Sequence, residues 1–261
     1  MFNFPEVQKA EKFFYKTNFL KTVIFQVKYK RTEVASHKGY LDKMLKNVFP
    51  IQKEINKNEI QLKIDKTPVV VSKSNTLEGY EYRSEDNKRV LSITADAMSL
   101  TIFGDGYSYF EKEFDVFRNA VMEICSVLRI NSFIRLAVRK VNLLGLKKIE
   151  DSPISVLPAV FKDQFLQSFS CMPNNDLVKN GLIKYDLVDS LYTLKLAYGL
   201  PAETVPQDLK TIVIDIDIFK DNAEVLLNDF KQEMTKINAA VFDVFDYMVC
   251  DKLKAVLRGE Q

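Results

Sequence analysis

The stretch Phe133-Ile-Arg-Leu-Ala-Val-Arg-Lys-Val-Asn-Leu-Leu-Gly145 alternates in a way that predicts a β-strand. Residues four apart in a strand share a face and lie roughly 13 Å apart, at about 3.3 Å per residue. Arg135 and Arg139 are therefore predicted on one face, and the other face is assigned to Ile134, Leu136 and Val138. Two guanidinium groups on one side of an apolar strand mark that side as a candidate binding surface.

A long amphipathic helix is predicted directly before this strand, from Tyr107 to Leu128. Its apolar side chains recur three or four residues apart, at Phe110, Phe114, Phe117, Val121, Ile124 and Leu128. That spacing gathers them into one stripe, which we expect to lie on a sheet.

The remaining segments predict many short strands and few helices. Leu20 to Lys30 alternates as a half-buried strand, and residues 59–103 hold several β-rich pieces separated by turn residues. Two helices are expected at the end of the chain, Ala223–Lys236 and Asn238–Arg258. Because strands and helices do not alternate regularly, we predict an α+β fold, in which antiparallel sheets are packed by long amphipathic helices.

The domain organisation is less sharply marked. The chain has 261 residues, of which 47% are hydrophobic, and this is enough for one large or two intimately packed domains. The one candidate boundary, Lys147–Pro153, predicts an N-terminal α+β half over 1–148 and a C-terminal α+β half over 149–261. The two halves are either similar in architecture or parts of one compact unit.

Composition excludes several classes of protein. Cys125, Cys171 and Cys250 are far apart and form no Cys-x-x-Cys motif, so we predict neither a disulfide framework nor a metal site, and a reducing cytoplasm as the compartment. No signal peptide and no apolar run near the roughly 20 residues of a membrane helix occur. No phosphate-binding glycine loop is present, and we predict no cofactor.

Asp215 and Asp217 lie on a predicted strand whose other face carries Ile212, Ile214, Ile216 and Ile218. One interpretation is structural, because their two-residue period matches that of Arg135 and Arg139 and allows cross-strand ion pairs. The alternative is chemical, because carboxylates two apart on a strand also hold Mg²⁺ in phosphoryl-transfer enzymes. Asn142 is predicted to point away from both arginines and to satisfy a loop backbone.

Two other features bear on function. His37 is the only histidine and no nucleophile motif surrounds it, so a catalytic relay from a nucleophile to histidine is not expected. A basic cluster comprises Lys28, Lys30, Arg31, Lys38, Lys43 and Lys46. A solvated face is the commoner origin of such a cluster, and nucleic-acid contact is the alternative. The formal net charge of +2 makes no case for nucleic acid.

Three features together carry a family resemblance. They are the N-terminal apolar strand, the helix leading into Arg135-Leu-Ala-Val-Arg139-Lys-Val-Asn142, and the Asp-x-Asp strand. In this combination the chain, from about Leu20 to Leu257, resembles sporadically distributed bacterial proteins of similar length. Those proteins carry the signature Arg-φ-Gly-Leu-Arg-Tyr-φ-Asn, where φ is apolar, and have no assigned activity. Ala137 stands here in place of the glycine and Lys140 in place of the tyrosine.

Together these observations favour a non-catalytic cytoplasmic binding protein whose partner is another protein. The expected recognition residues are Arg135, Arg139, Asn142, Asp215 and Asp217. The scattered distribution of the family implies an accessory role, such as service to a toxin-neutralising or defence locus. Three alternatives stay open: an anionic ligand on the arginines, a metal-dependent phosphoesterase or nucleotide-processing enzyme using the two aspartates, and a nucleic-acid-binding module. A homodimer is compatible with each of them.

Overall fold

The structure, a computed structural model, describes residues 2, 15, 17–63, 70–147, 153–169, 180–202 and 209–260. These residues form a nine-stranded antiparallel sheet and four α-helices, which confirms the predicted α+β class. The strands are β1 (Leu20–Lys28), β2 (Ile51–Lys63), β3 (Val70–Arg83), β4 (Arg89–Thr94), β5 (Ala97–Phe103), β6 (Ser132–Lys147), β7 (Gly181–Asp189), β8 (Tyr192–Leu200) and β9 (Leu209–Leu226). The helices are α1 (Lys38–Leu45), α2 (Phe110–Leu128), α3 (Phe230–Met248) and α4 (Asp251–Arg258).

The strand order, β2-β3-β4-β5-β1-β6-β9-β8-β7, is arranged about a central pair. β1 and β6 run antiparallel there, with Lys28 opposite Arg135. On one side, β5 returns beside β1 and leads into α2, and on the other side β9 returns beside β6 and leads into α3. A related arrangement thus occurs twice within one continuous sheet, over 20–128 and 132–248: a central strand, a meander that returns beside it and a long helix. The described meander has four strands in the first repeat and three in the second, and α1 has no counterpart among the described residues of the second. The domain boundary at residue 148 stays a prediction.

The helices α2 and α3 correspond position by position. Each has 19 residues and begins with a phenylalanine, Phe110 or Phe230. The nine buried positions of α2 recur at the same places in α3, including a buried glutamate, Glu113 or Glu233, on the first turn. The residue types at most of these positions differ, as with Phe117 and Ile237, which is why inspection of the sequence shows no repeat.

Aromatic side chains fill the core between the helices and the sheet. Phe25 of β1 lies 5.8–6.1 Å, between ring centroids, from the three phenylalanines at 110, 114 and 117 of α2. Phe230 lies at the junction of α2, α3 and β6, with centroid distances of 5.4 Å to Phe114 and 5.1 Å to Phe133. Phe230 therefore connects the two repeats through the core.

The C-terminal helices begin and end elsewhere than the sequence predicts. The predicted break near Ile237 is wrong, because this side chain is buried in the middle of α3. The break lies at Val249, whose backbone is extended (φ −80°, ψ 143°) and forms a β-bridge with Phe161. Cys250 N–H then donates to the carbonyl oxygen of Val160 at 2.9 Å, so the chain satisfies its backbone outside the helix before α4 begins.

Among the residues described above, no helix has both the length and the apolar character that crossing a membrane requires.

Candidate binding face of the sheet

The four helices pack on one face of the sheet, where the apolar side chains of every second strand residue are buried. Within the described ranges no helix covers the opposite face, which we call the open face. With neighbouring strands about 4.8 Å apart, nine strands span about 38 Å. Small side chains line much of the open face, at Ser92, Ala97, Ser99, Thr101, Ala137, Thr193 and Ala197. The open face is therefore a broad surface whose small side chains lie mainly on β4, β5 and β8, beside the central strands.

Arg135 and Arg139 both lie on the open face, as predicted from their spacing, and both are ion-paired. Arg139 forms a bidentate pair with Asp215, in which Nε donates to Oδ1 at 2.9 Å and Nη2 to Oδ2 at 2.6 Å. Arg135 Nη1 donates to Asp221 Oδ2 at 3.1 Å, and its guanidinium lies 3.6 Å from the centroid of the Phe219 ring. The two guanidinium groups are thus held in place before any partner arrives.

Asp221 is the site residue that sequence reasoning missed. The signal was present, because the two-residue period from Asp215 and Asp217 continues through Phe219 to Asp221. The predicted strand ended at Phe219, whereas β9 extends to Leu226 and carries Asp221 opposite Arg135.

A β-bulge changes the start of β6. The prediction that Ile134 shares the buried face with Leu136 and Val138 is wrong, since the register shifts between Phe133 and Arg135. Phe133 is buried instead, and Ile134 is 41% exposed. Arg135 Nε is buried, and among the described residues no acceptor lies within hydrogen-bond distance of it.

The charged strip of the open face comprises Lys28, Arg135, Arg139, Lys195, Asp215, Asp217 and Asp221. Asp217 lies at its centre and forms no ion pair with any of the described residues. In the sheet it is opposite Arg139 on one side and Lys195 on the other. The Arg139 guanidinium turns to Asp215, and Lys195 Nζ lies 4.0 Å from Asp186. Among the described residues no hydrogen-bond donor reaches Asp217. Burial raises the pKa of its carboxyl, although the charges of Arg135 and Arg139 act in the opposite direction.

Replacing Asp217 with asparagine is expected to stabilise the protein at neutral pH. Because the folded-state pKa is raised, ionisation of Asp217 destabilises the fold as pH rises from the ordinary carboxyl range through that raised value. Removing the charge should raise the free energy of unfolding at pH 7 by up to about 1 kcal/mol, measured by urea denaturation. Asp215→Asn is the matched control and should lower it, because this change weakens the pair with Arg139. If Asp217→Asn were no more stable than the natural protein at pH 7, the raised pKa of Asp217 would be contradicted.

Asn142 lies away from the charged strip. As predicted from its parity, it points opposite to the arginines, and it is buried on the helix-covered face. Its Nδ2 donates to the carbonyl oxygen of Ile214 at 3.5 Å, so the prediction that it satisfies a loop backbone is wrong: the backbone belongs to strand β9. The structure therefore brings together Arg135, Arg139, Asp215 and Asp217 and leaves Asn142 on the other side of β6.

The metal and nucleic-acid alternatives gain little from this geometry. In the part of the chain that the structure describes, no three His, Cys, Asp or Glu side chains are grouped closely enough to hold a metal ion. Both oxygens of Asp215 accept from Arg139. The basic cluster does not form one surface either, since Lys28 lies on the open face and Lys38 pairs with Asp42 on the helix-covered side.

Comparison with known proteins adds no assignment: no family model matches the chain, and no curated protein matches it. The resemblance to the signature-bearing bacterial family stays a prediction.

Proposed function

We propose that the protein is a non-catalytic binding protein and that the open face is its recognition surface for another protein. The observation that supports this most directly is the helix-free side of the nine-stranded sheet, within the described residues, with a central strip of ordered charged groups. A sheet usually buries its second face or exposes polar side chains there. Here that face carries small, apolar and ion-paired side chains together.

The charge of the open face favours a protein over a nucleic acid. Its central strip holds four cations, Lys28, Arg135, Arg139 and Lys195, and three carboxylates, Asp215, Asp217 and Asp221. Nucleic-acid affinity depends on many cations that are free to neutralise phosphates. Because both arginines are already paired with carboxylates, this strip offers few such cations. Positive and negative charges nearly balance in this strip but are separated locally. A protein surface with complementary charges can match such a pattern.

The shape of the open face and the state of Asp217 define the chemistry of the partner. Small side chains on β4, β5 and β8, beside the charged strip, let a partner's backbone or side chains approach the sheet closely there, as in face-to-face packing at about 10 Å. Asp217 lacks a hydrogen-bond partner among the described residues and carries a raised pKa, so a donor supplied from outside would stabilise its ionised form. The partner we propose presents a low-charge surface with a donor opposite Asp217. The accessory role in a toxin-neutralising or defence locus, which the family resemblance implies, belongs to this proposal.

A pair of matched variants tests the proposed surface. Ser99 lies at the centre of the open face, and Ser126 is exposed on α2. A partner is first identified by cross-linking in the cells that make the protein, then purified, and its affinity is measured calorimetrically. We expect Ser99→Arg to weaken binding at least about tenfold, because a buried arginine in the interface must be desolvated. Ser126→Arg should leave the affinity within about twofold.

Hydrogen exchange on the purified complex provides an independent check. Binding of the partner should slow amide exchange in β1, β5 and β6. Exchange in α2 should not change. A partner that binds Ser99→Arg as tightly as the natural protein, or that protects α2, would place the interface elsewhere. If this chain forms a dimer whose open face is protected, the partner is a second copy of the chain and not another protein.

A further inference from the structure

A separate cavity lies on the other side of β6, under the helices. Its volume is about 80 Å³, and the sheet contributes Lys140, Asn142 and Ile216 to its lining. The helix α3 contributes Val241, Phe242 and Phe245. Lys140 and Asn142, two positions apart on the same face of β6, supply an amine and an amide, and the segment before β1 adds the polar side chains of Tyr15, Thr17 and Asn18. The rest of the lining is apolar.

Lys140 is an unusual residue for this environment. It is partly buried, between Val23 of β1 and Ile216 of β9, and among the described residues no hydrogen bond or ion pair reaches its Nζ. Lys140 Nζ lies 5.6 Å from the centroid of the Tyr107 ring. A buried ammonium is normally paired, because removing it from water is costly. A buried amine left without a partner at an apolar cavity points to an anionic group supplied from outside.

The other ionisable groups around the cavity are already engaged with the chain, so Lys140 is the group that would bind an anion. Glu111 of α2 acts on Lys140 only at long range, and Tyr107 presents its ring. Tyr15 donates to Asp246 at 2.7 Å, and Lys254 pairs with the same carboxylate at 2.8 Å. Arg258 acts on Tyr15 through its charge. Lys140 is thus the cation in the lining that no carboxylate of the described chain neutralises at close range.

We infer that the cavity binds a small amphipathic carboxylic acid, with its carboxylate on Lys140 Nζ and its alkyl group among Val241, Phe242 and Phe245. The volume suits a short acid of about four to six carbons. The hydrophobic lining stabilises the alkyl group, and the charge-assisted hydrogen bond fixes the orientation of the acid. This site is independent of the open face, because Lys140 points to the opposite side of the sheet from Arg135 and Arg139.

The pH dependence of binding follows from the state of the amine. Burial lowers the pKa of Lys140 to about 8 in the free protein, although the charge of Glu111 acts in the opposite direction. A bound carboxylate favours the ammonium form and should raise that pKa. Affinity should therefore be constant between the pKa of the acid itself and about pH 8, where the ligand is a carboxylate and Lys140 an ammonium. It should fall by about tenfold per pH unit above pH 8 until the pKa of the complex is reached.

The experiment uses butyrate as the probe, with 1-butanol as its neutral counterpart, and follows the full chain by NMR with lysines labelled at ¹³Cε. We expect butyrate to shift the Lys140 signal and raise its pKa, and to perturb α3 rather than the open face. The variant Lys140→Met, which keeps the length of the side chain, should bind butyrate at least about tenfold more weakly and 1-butanol unchanged. Lys28→Met on the open face is the matched control and should bind butyrate as the natural protein does.

Three results would overturn the inference: no change in the Lys140 pKa with butyrate, butyrate binding that Lys140→Met retains, or equal affinity for butyrate and 1-butanol at pH 7. The pKa titration is made on the natural protein, so it decides the question even if Lys140→Met does not fold. Loss of partner binding in Ser99→Arg with butyrate binding intact would keep the two sites distinct.

Discussion

Replacing Glu113 with alanine is expected to lower the free energy of unfolding by about 3–5 kcal/mol, the cost of leaving one partner of a buried ion pair alone. The Glu113 side chain is fully buried on the first turn of α2. Arg89 of β4 donates to both of its oxygens, from Nε at 2.8 Å and from Nη2 at 2.9 Å, and Ser108 donates at 2.8 Å. Without the carboxylate, the Arg89 guanidinium would keep its charge and, among the described residues, its hydrogen bond to the Gly106 carbonyl.

Urea denaturation at pH 7 measures this effect, and Glu123→Ala on the exposed side of α2 is the control. Burial raises the pKa of Glu113, but hydrogen bonds from Arg89 and Ser108 outweigh it, so the net direction is downward. Stability from this group is therefore present above the ordinary carboxyl pKa and is lost as pH falls through the lowered value. Glu113→Ala should show a smaller loss of stability in acid than the natural protein. A change below about 1 kcal/mol at pH 7 would mean that Arg89 finds another partner.

Phe230→Ala is expected to cost a similar amount, about 3–5 kcal/mol, through the cavity it leaves. Phe230 is 1% exposed and contacts rings of α2 and β6, so the lost contacts belong to both repeats. Leu226→Ala is the control, since Leu226 is 55% exposed and should change stability by less than about 0.5 kcal/mol. Chemical denaturation of both variants compares them directly. If both lost stability equally, the aromatic junction would not be a principal contact between the repeats.

Local patterns predicted the parts of the fold that depend on spacing alone. The apolar stripe of α2 placed its buried residues correctly, and the alternation of β6 did so for Leu136 and Val138, because burial of one face follows the period of each element. Ile134 and the break at Val249 were predicted wrongly for a shared reason. A bulge and a β-bridge are set by a distant strand or loop, here β9 and Phe161, and neither leaves a local signal.

The candidate site could be predicted only in part. The shared period of the arginines and aspartates indicated cross-strand pairs, and the Arg139–Asp215 pair bears this out. The carboxylate with which each guanidinium pairs depends on the register between β6 and β9 and on the direction of the side chains. The spacing of residues in the sequence determines neither. Hence Asp221 was missed, and Asp217, opposite Arg139 in the register, is left without an ion pair among the described residues. The cavity at Lys140 needed the packing of α3 against β6 to become visible.

The central pairing of β1 with β6 also has a kinetic consequence. The neighbouring strands of each meander, such as β4 with β5 and β7 with β8, are joined by short turns and can pair at little cost in chain entropy. Lys28 and Arg135, by contrast, are more than one hundred residues apart along the chain. Contacts of such long sequence separation slow folding. We therefore expect the two meanders to form before β1 and β6 pair, and this pairing to limit the rate of folding.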